Sequence, residues 1–198
     1  MHHTGAALID PFEILEWVGL ESGWHVADLG CGSLGHFVFP AAQMVGGGGR
    51  VYAVDVQKIV LQTIERIAKW EQRWNVIPVW SDIDVPHAAR IPNASVDLTL
   101  LANNFSLSFH RPGMAEEITR LTKPGGYLIV IEWQKERTAI GPAMEHRVSV
   151  EEVMDAFARP DFHLLGSLDA SDHHYALLFE REPLSGDTRV ISHSSPSF

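Results

Sequence analysis

The chemistry of this chain is concentrated in three glycines that follow an acidic residue. Gly30, Gly32 and Gly35 have the spacing G-x-G-x-x-G, and Asp28 lies two positions before the first of them. Because glycine has no Cβ, this spacing lets a buried strand turn sharply into a helix and leaves backbone N–H groups facing a ligand. A tight turn without a ligand can show the same pattern, so the rest of the chain must decide between the two.

Polar side chains also follow the other predicted strands. Asp55 ends the second strand, Asp82 follows the third, Asn103 follows the fourth and Glu132 lies near the end of the fifth. The carboxyl ends of parallel strands meet at one edge of a sheet, so we expect these groups to border one crevice. Asp55 could accept both hydroxyl hydrogens of a ribose there, with an ordinary surface carboxylate as the alternative.

The elements that must position these residues alternate between strand and helix. Apolar runs predict strands at 24–29, 50–55, 76–80, 97–102, 127–133, 162–168 and 173–181. Helices are predicted at 10–19, 38–45, 58–74, 111–122 and 150–158, the last with a capping box formed by Ser149 and Glu152. Pro78 places the third strand at a sheet edge, and a turn at 169–172 makes the last two strands a hairpin. This order predicts an α/β fold, a three-layer Rossmann-like sandwich with a mostly parallel seven-stranded sheet and an antiparallel strand near the C-terminus.

Length and composition limit the classes of protein. We expect residues 1–182 to form one domain, with 1–22 as a helical segment over the crevice and 183–198 as a flexible tail. The formal net charge of -10 argues against a protein that tracks nucleic-acid phosphates. A single cysteine, no secretory signal and no apolar run of membrane-spanning length predict a cytoplasmic setting.

The motifs together resemble those of class I S-adenosylmethionine-dependent methyltransferases. The matching stretches, in the family's order and spacing, are 26–32, 54–55, 81–83, 97–103 and 121–126. The resemblance covers about residues 8–181 and is greatest to the small-molecule branch that includes quinone-biosynthesis enzymes. It implies S-adenosylmethionine as cofactor, S-adenosylhomocysteine as product, and methyl transfer by direct displacement to a small molecule that the sequence does not identify.

The resemblance also implies roles for single residues. Asp28 would reach the ammonium group of the cofactor, with capping of the loop or the next helix as the alternative. Val56 would pack on the adenine ring or in the core, and Asp82 would accept from the adenine amino group in competition with Asp84. Ile83 would add a backbone N–H or an apolar face. The predicted cofactor-binding residues are Asp28, Gly30, Cys31, Gly32, Asp55, Val56, Asp82, Ile83, Ala102 and Asn103. Asn104 is expected on the acceptor side or as a cap.

A general base is needed only if the acceptor atom carries a proton at working pH. His110, Glu132 and His146 are the candidates, each with a surface or capping role as the alternative. Cys31 is interpreted as a small loop residue and not as a nucleophile. No histidine spacing demands a metal, since neighbouring residues such as His173 and His174 point to opposite faces of a strand.

Two other classes of protein share parts of this pattern. One is a nicotinamide-dependent oxidoreductase, and the other is a catalytically degenerate methyltransferase-like binding module. The position of Asp28 and the closing hairpin favour the methyltransferase. No insertion is long enough to form a lid, so we expect the acceptor site to be open or covered by another subunit, and a homodimer is one way to cover it.

Overall fold

Strands and helices alternate along the chain, as the order of the apolar runs predicts. The computed structural model describes residues 8–136, 140–157 and 161–183. The helices are α1 (Pro11–Trp17), α2 (Val38–Val45), α3 (Lys58–Trp70), α4 (Arg111–Leu121) and α5 (Val150–Phe157). The strands are β1 (His25–Leu29), β2 (Arg50–Asp55), β3 (Val76–Trp80), β4 (Val96–Ala102), β5 (Thr122–Trp133), β6 (Phe162–Ser171) and β7 (His174–Arg181). Short 3-10 turns span Phe105–Leu107 and Met144–His146.

One sheet contains all of these strands, in the order β3-β2-β1-β4-β5-β7-β6. The first five strands run parallel, and β7 lies antiparallel between β5 and β6. The strand that carries Pro78 is at the edge, where a missing N–H removes no pairing bond. The predicted Rossmann-like fold with an antiparallel strand near the C-terminus is confirmed.

Two apolar cores lie on opposite faces of the sheet. Side chains alternate along each strand, so Val26 of β1 packs with α1, α2 and α3, whereas Leu29 packs with α4 and α5. Asp10 caps α1 by accepting the Phe12 N–H at 2.9 Å, and the buried face of α1 joins the first core. The backbone carbonyl of Ile9 lies 2.8 Å from the His36 ring, beside the glycine loop. Residues 1–7 lie outside the described part, so cover of the crevice by the N-terminal segment stays a prediction.

Helix α3 and strand β5 differ most from their predicted bounds. Helix α3 ends at Trp70 instead of residue 74, because Glu71 leaves helical geometry and Gln72 has a φ of 56°. Strand β5 begins at Thr122 instead of residue 127, because Thr122 pairs with Val96 directly after α4 ends. The pairing then shifts register, so the predicted turn at 123–126 lies within the strand as an irregularity.

The C-terminal hairpin also turns later than predicted. Ser171 ends β6 and His174 begins β7, so the turn is at 172–173 and not at 169–172. The Ser171 hydroxyl stabilises it by accepting the His173 N–H at 3.2 Å. The capping box of α5 is confirmed in both directions, with Ser149 and Glu152 bonding each other's backbone N–H. Residue 158 and the predicted tail from residue 184 onward lie outside the described residues.

A buried ion pair fixes the segment after β3. Glu117 of α4 accepts hydrogen bonds from the Arg120 side chain, from the His87 N–H at 2.6 Å and from the Ala89 N–H at 3.0 Å. Burial opposes ionisation of Glu117, but these bonds outweigh it and hold the pKa of the carboxyl below its usual value. The pair therefore ties residues 87–89 to α4.

Replacement of Glu117 tests how much this pair stabilises the fold. Glu117→Ala leaves the Arg120 charge and two backbone N–H groups without their partner, so the free energy of unfolding should fall by about 3–5 kcal/mol. Urea denaturation measures it. The control is Glu65→Ala, which breaks the exposed pair with Lys69 at 2.7 Å and should cost less than about 0.5 kcal/mol. Equal losses in the two variants would contradict the assignment.

Candidate functional site

The glycine loop at residues 30–35 leaves β1 in a conformation that requires glycine. Gly30, Gly32 and Gly35 have φ angles of 78°, 65° and 57°, in the left-handed region. The end of β2 holds the first turn, because the Gly30 and Cys31 N–H groups both donate to the Val54 carbonyl, at 2.8 and 3.0 Å. The loop is thus a fixed part of the carboxyl edge of the sheet.

Asn104 braces this loop against the end of β4. Its side-chain Nδ2 donates to the Gly30 carbonyl at 3.0 Å and to the Ala102 carbonyl at 2.8 Å. A Cβ on Gly30 would lie 2.4 Å from the Asn104 side chain. The first glycine therefore serves two purposes, left-handed geometry and space for this amide. The sequence contained no signal for the second purpose, because it depends on a contact between distant parts of the chain.

Two carboxyl groups flank the loop in a buried setting. Asp28 at the end of β1 is buried, and burial together with the charge of Asp55 raises the pKa of the Asp28 carboxyl to about 7. Asp55 accepts the Gly32 N–H at 3.3 Å with one oxygen and the Gln57 N–H at 2.8 Å with the other. Each carboxylate oxygen has a second lone pair, so Asp55 keeps acceptor capacity for hydroxyl groups. The pair is suited to a ligand that carries both a cation and a diol.

Cys31 lies in the same loop and is buried. Burial is the main cause that raises the pKa of its thiol, and the nearby charges of Asp28 and Asp55 add to it. The thiol therefore stays protonated at physiological pH, which suits the predicted role of a small loop residue.

The outer wall of the crevice follows β2 and β3. Val56 is 54% exposed, which rules out the alternative of core packing, and Ile83 is half-buried. The Trp80 indole donates its N–H to the Val56 carbonyl at 2.8 Å, and the Lys58 ammonium lies 5.4 Å from the centre of the Trp80 ring. Sequence reasoning missed Trp80, because a tryptophan that ends an edge strand is not distinctive by its spacing.

Asp82 and Asp84, the two competitors for one role, have different surroundings. The Asp84 carboxylate accepts from the Ser108 hydroxyl at 2.6 Å and from the Phe109 and His110 N–H groups at 2.8 and 3.1 Å. Asp82 is exposed, and one of its oxygens accepts the Asp84 N–H at 3.0 Å. Asp84 therefore organises the segment after β4, and Asp82 is the carboxylate with capacity for a ligand.

The far side of the crevice contains a buried amide and a buried imidazole. Asn103 follows Ala102, has a φ of 55° and donates its N–H to the Ile131 carbonyl at 2.8 Å. Its Nδ2 lies 3.4 Å from His174 Nε2, and its Oδ1 has no hydrogen-bond partner among the described residues. Burial, with smaller effects of neighbouring cations, lowers the pKa of His174 to about 4, so this ring is neutral. Sequence reasoning considered His174 only as a metal ligand and missed this contact.

The three general-base candidates occupy different settings. Glu132 is fully buried, and its oxygens accept the Ser106 N–H at 3.1 Å and the Ser106 hydroxyl at 3.0 Å. Burial raises the pKa of Glu132 to about 7, which is near the pH at which a general base works best. His110 is exposed at the start of α4, and His146 is exposed in the 3-10 turn Met144–His146. A catalytic role for any of the three stays a prediction.

Other features lie outside this crevice. A cavity of about 700 Å³ opens at the opposite, amino edge of the sheet between the turn at 46–49 and residues 72–77, and it contains none of the predicted site residues. In the part of the chain that the structure describes, no group of three His, Cys, Asp or Glu side chains could hold a metal ion. None of the described helices is both long and apolar enough to cross a bilayer.

Alanine substitutions in the glycine loop test the Asn104 brace. Gly30→Ala and Gly32→Ala share the strain of a left-handed residue, about 1–2 kcal/mol, but the added Cβ meets open space only at Gly32. Gly30→Ala must also displace Asn104 and break its two hydrogen bonds, so it should lower the free energy of unfolding by about 1–3 kcal/mol more. Urea denaturation of both variants measures the difference. Equal destabilisation would show that Asn104 does not brace the loop.

Comparisons with known proteins agree with this geometry. A family model described as a methyltransferase domain matches residues 20–167. No curated protein sequence matches the chain. Among solved structures, a SAM-dependent methyltransferase from Aquifex aeolicus is similar at 26% identity, with a TM-score of 0.81, over 90% of this chain and 93% of that one.

Two more distant structures share the fold. A protein described as a type 11 methyltransferase from Sulfolobus solfataricus has 24% identity and a TM-score of 0.70, over 91% of this chain and 96% of that one. An arsenic (III) S-adenosylmethionine methyltransferase from Chlamydomonas reinhardtii has 20% identity and a TM-score of 0.66, over 85% of this chain and 66% of that one.

Proposed function

The chain belongs to the methyltransferase-domain family and is an S-adenosylmethionine-dependent enzyme, and we propose that it methylates a small-molecule acceptor by direct displacement. The resemblance of the sequence to class I methyltransferases is confirmed, whereas the quinone-biosynthesis-like branch stays a prediction. The oxidoreductase and the degenerate binding module have no support in these comparisons. A cytoplasmic setting, a homodimer and the absence of nucleic-acid partners are also predictions.

One observation carries the proposal, the pair of carboxyl groups beside the glycine loop. Asp28, with a pKa of about 7 in the ligand-free protein, fits an ammonium group, which would favour its ionised form. The unused lone pairs of Asp55 fit the ribose hydroxyls. We assign the adenine end to Val56, Asp82 and Ile83.

The methionine end of the cofactor is assigned to the glycine loop, Ala102 and Asn103. The Asn103 Oδ1 atom supports this assignment, because it is buried, finds no partner within the described part of the chain and can accept a hydrogen bond. When bound, the cofactor supplies a methyl group on a sulfonium, which is the reactive part of the reaction. The chain's task is to hold the acceptor atom in line with that methyl group and to exclude water.

Removal of a proton from the acceptor is the remaining task. Glu132 is the candidate whose pKa is matched to neutral pH. Its oxygens face Ser106, so a proton from the acceptor would reach it through the Ser106 hydroxyl. An acceptor atom that is already deprotonated at neutral pH would need no base, and Glu132 would then only hold the 3-10 turn Phe105–Leu107.

The Asp28 assignment predicts a pH dependence of cofactor binding. Asp28 is largely protonated below pH 7 in the free protein, and a cationic ligand requires it ionised, so binding must release a proton. The affinity for S-adenosylhomocysteine should therefore rise with pH between about 5.5 and 7, by up to about tenfold per unit. The ligand's amine stays charged throughout this range. Titration calorimetry in buffers of different ionisation enthalpy measures both the affinity and the proton release.

The control for this experiment is Asp28→Asn, which cannot ionise. It should bind S-adenosylhomocysteine more weakly than the natural chain at pH 7.5 and lose most of the pH dependence. A natural chain that binds without proton release, or an Asp28→Asn variant with the same pH slope, would refute the role of Asp28. Failure of the natural chain to bind either S-adenosylhomocysteine or S-adenosylmethionine would refute the proposed function.

The adenine assignment is tested with two neighbouring carboxylates. Asp82→Ala should weaken S-adenosylhomocysteine binding by about 1–3 kcal/mol, because it removes an acceptor for the adenine amino group, and should leave the urea midpoint nearly unchanged. Asp84→Ala removes the partner of the segment 108–110, so its main effect should be on stability. If binding depends on Asp84 and not on Asp82, the assignment is wrong.

A further inference from the structure

In the segment 106–109, which follows β4, the polar side chains turn toward the protein and the large apolar side chains turn toward solvent. Ser106 and Ser108 turn inward, toward the carboxylates of Glu132 and Asp84. Leu107 lies between the two serines and is 64% exposed, and Phe109 follows Ser108 and is 102% exposed. Large apolar side chains normally occupy the inner positions of such a loop, so this arrangement needs a reason.

Hydrogen bonds hold the segment in this arrangement. Ser106 donates both its N–H and its hydroxyl to Glu132, and the Phe109 N–H donates to Asp84 at 2.8 Å. Turning Leu107 or Phe109 inward would break these bonds and leave the carboxylate oxygens of buried Glu132 and half-buried Asp84 without these donors. The two apolar side chains are therefore fixed in their outward positions.

The position of the segment points to the acceptor. It begins directly after Asn103 and Asn104, and Asn104 binds the carbonyl of Gly30 in the glycine loop. Leu34 in the same glycine loop is 70% exposed. Exposed apolar side chains thus lie on the loops after β1 and β4, at the same carboxyl edge of the sheet as Asp28 and Asp55.

We propose that Leu107 and Phe109 bind the methyl acceptor, and that the acceptor is an uncharged, largely apolar molecule with a ring or chain that packs on them. This inference rests on the proposed methyltransferase function. Sites for small ligands are lined mainly by apolar and aromatic side chains with few polar groups, which matches these two residues beside Asn103. A phenylalanine side chain buries roughly 150–250 Å², which matches a ring-sized ligand.

The size and the charge of the surface argue against larger partners. A stable protein interface buries about 800 Å² on each partner, which is more than twice what Leu107 and Phe109 expose. The net charge of -10 disfavours an anionic membrane, and Asp82 and Asp84 lie in the neighbouring loop. A second copy of the chain or a lipid surface would nevertheless use the same residues, so the experiment must distinguish them.

The test uses a variant with both Leu107→Ser and Phe109→Ser. The full chain, saturated with S-adenosylhomocysteine, is titrated with the neutral apolar fluorophore N-phenyl-1-naphthylamine. The natural chain should bind the dye, and the double variant should bind it about tenfold or more weakly, because two apolar contacts are lost. The matched control is Trp70→Ser, which removes an 83% exposed side chain at the end of α3 and should leave dye binding unchanged.

Three further measurements separate the outcomes. All variants should keep the natural affinity for S-adenosylhomocysteine. If the natural chain and the double variant bind the dye equally, the acceptor assignment is overturned and the proposed function is left intact. A natural chain that binds no S-adenosylhomocysteine would instead overturn the proposed function. A dimer that becomes a monomer in the double variant, or binding to phosphatidylcholine vesicles that the variant loses, would show a subunit or membrane surface and overturn the proposal. If the double variant unfolds at lower urea than the natural chain, Phe109→Ser alone replaces it.

Discussion

Two carboxyl groups buried beside each other are the constraint around which the crevice is built. Burial, and in addition the neighbouring charge of Asp55, disfavours the ionised form of Asp28 and raises the pKa of its carboxyl to about 7. An aspartate with a raised pKa stabilises the fold at low pH, and this contribution is lost as pH rises from about 4 to about 7. A cation bound beside Asp28 removes the penalty at neutral pH. If the cofactor's ammonium group binds there, as we propose, its positive charge would offset the cost of ionising Asp28.

The other carboxylates of the crevice, buried or half-buried, are used differently. Asp84 and Glu132 accept N–H and hydroxyl groups from the segment that follows β4. Asp55 can hold a loop and also bind a ligand, because it accepts from the N–H groups of Gly32 and Gln57 and still has acceptor capacity. The number of protein N–H and O–H groups that donate to each carboxylate therefore distinguishes carboxylates that stabilise loops from carboxylates that can still accept from a ligand. This measure supports the proposed ligand roles of Asp82 and Asp28.

The fold could be predicted from the sequence because its signals are local. Apolar runs, the glycine turn and the Ser149–Glu152 capping box each depend on residues close together in the chain. Residues such as Asp28 and Asp55 could be placed at the crevice because parallel strands bring their carboxyl ends together. The Asn104 brace and the contact between Asn103 and His174 could not, since each joins segments about 70 positions apart. The predicted start of β5 was wrong for a similar reason, because the pairing of Thr122 with Val96 overrides the turn signal of the Pro-Gly-Gly sequence.

The segment 105–109 connects the two functions that we propose for its side chains, acceptor binding and proton removal. Its inner side chain Ser106 bonds Glu132, whose pKa of about 7 suits proton transfer, and its outer side chains Leu107 and Phe109 are available to an apolar ligand. An acceptor bound to Leu107 would be next to Ser106 along the chain, and the Ser106 hydroxyl donates to Glu132 at 3.0 Å. The same segment would therefore bind the acceptor and connect its proton to the base. An acceptor with an apolar body and a proton that must be removed would use both sides of the segment.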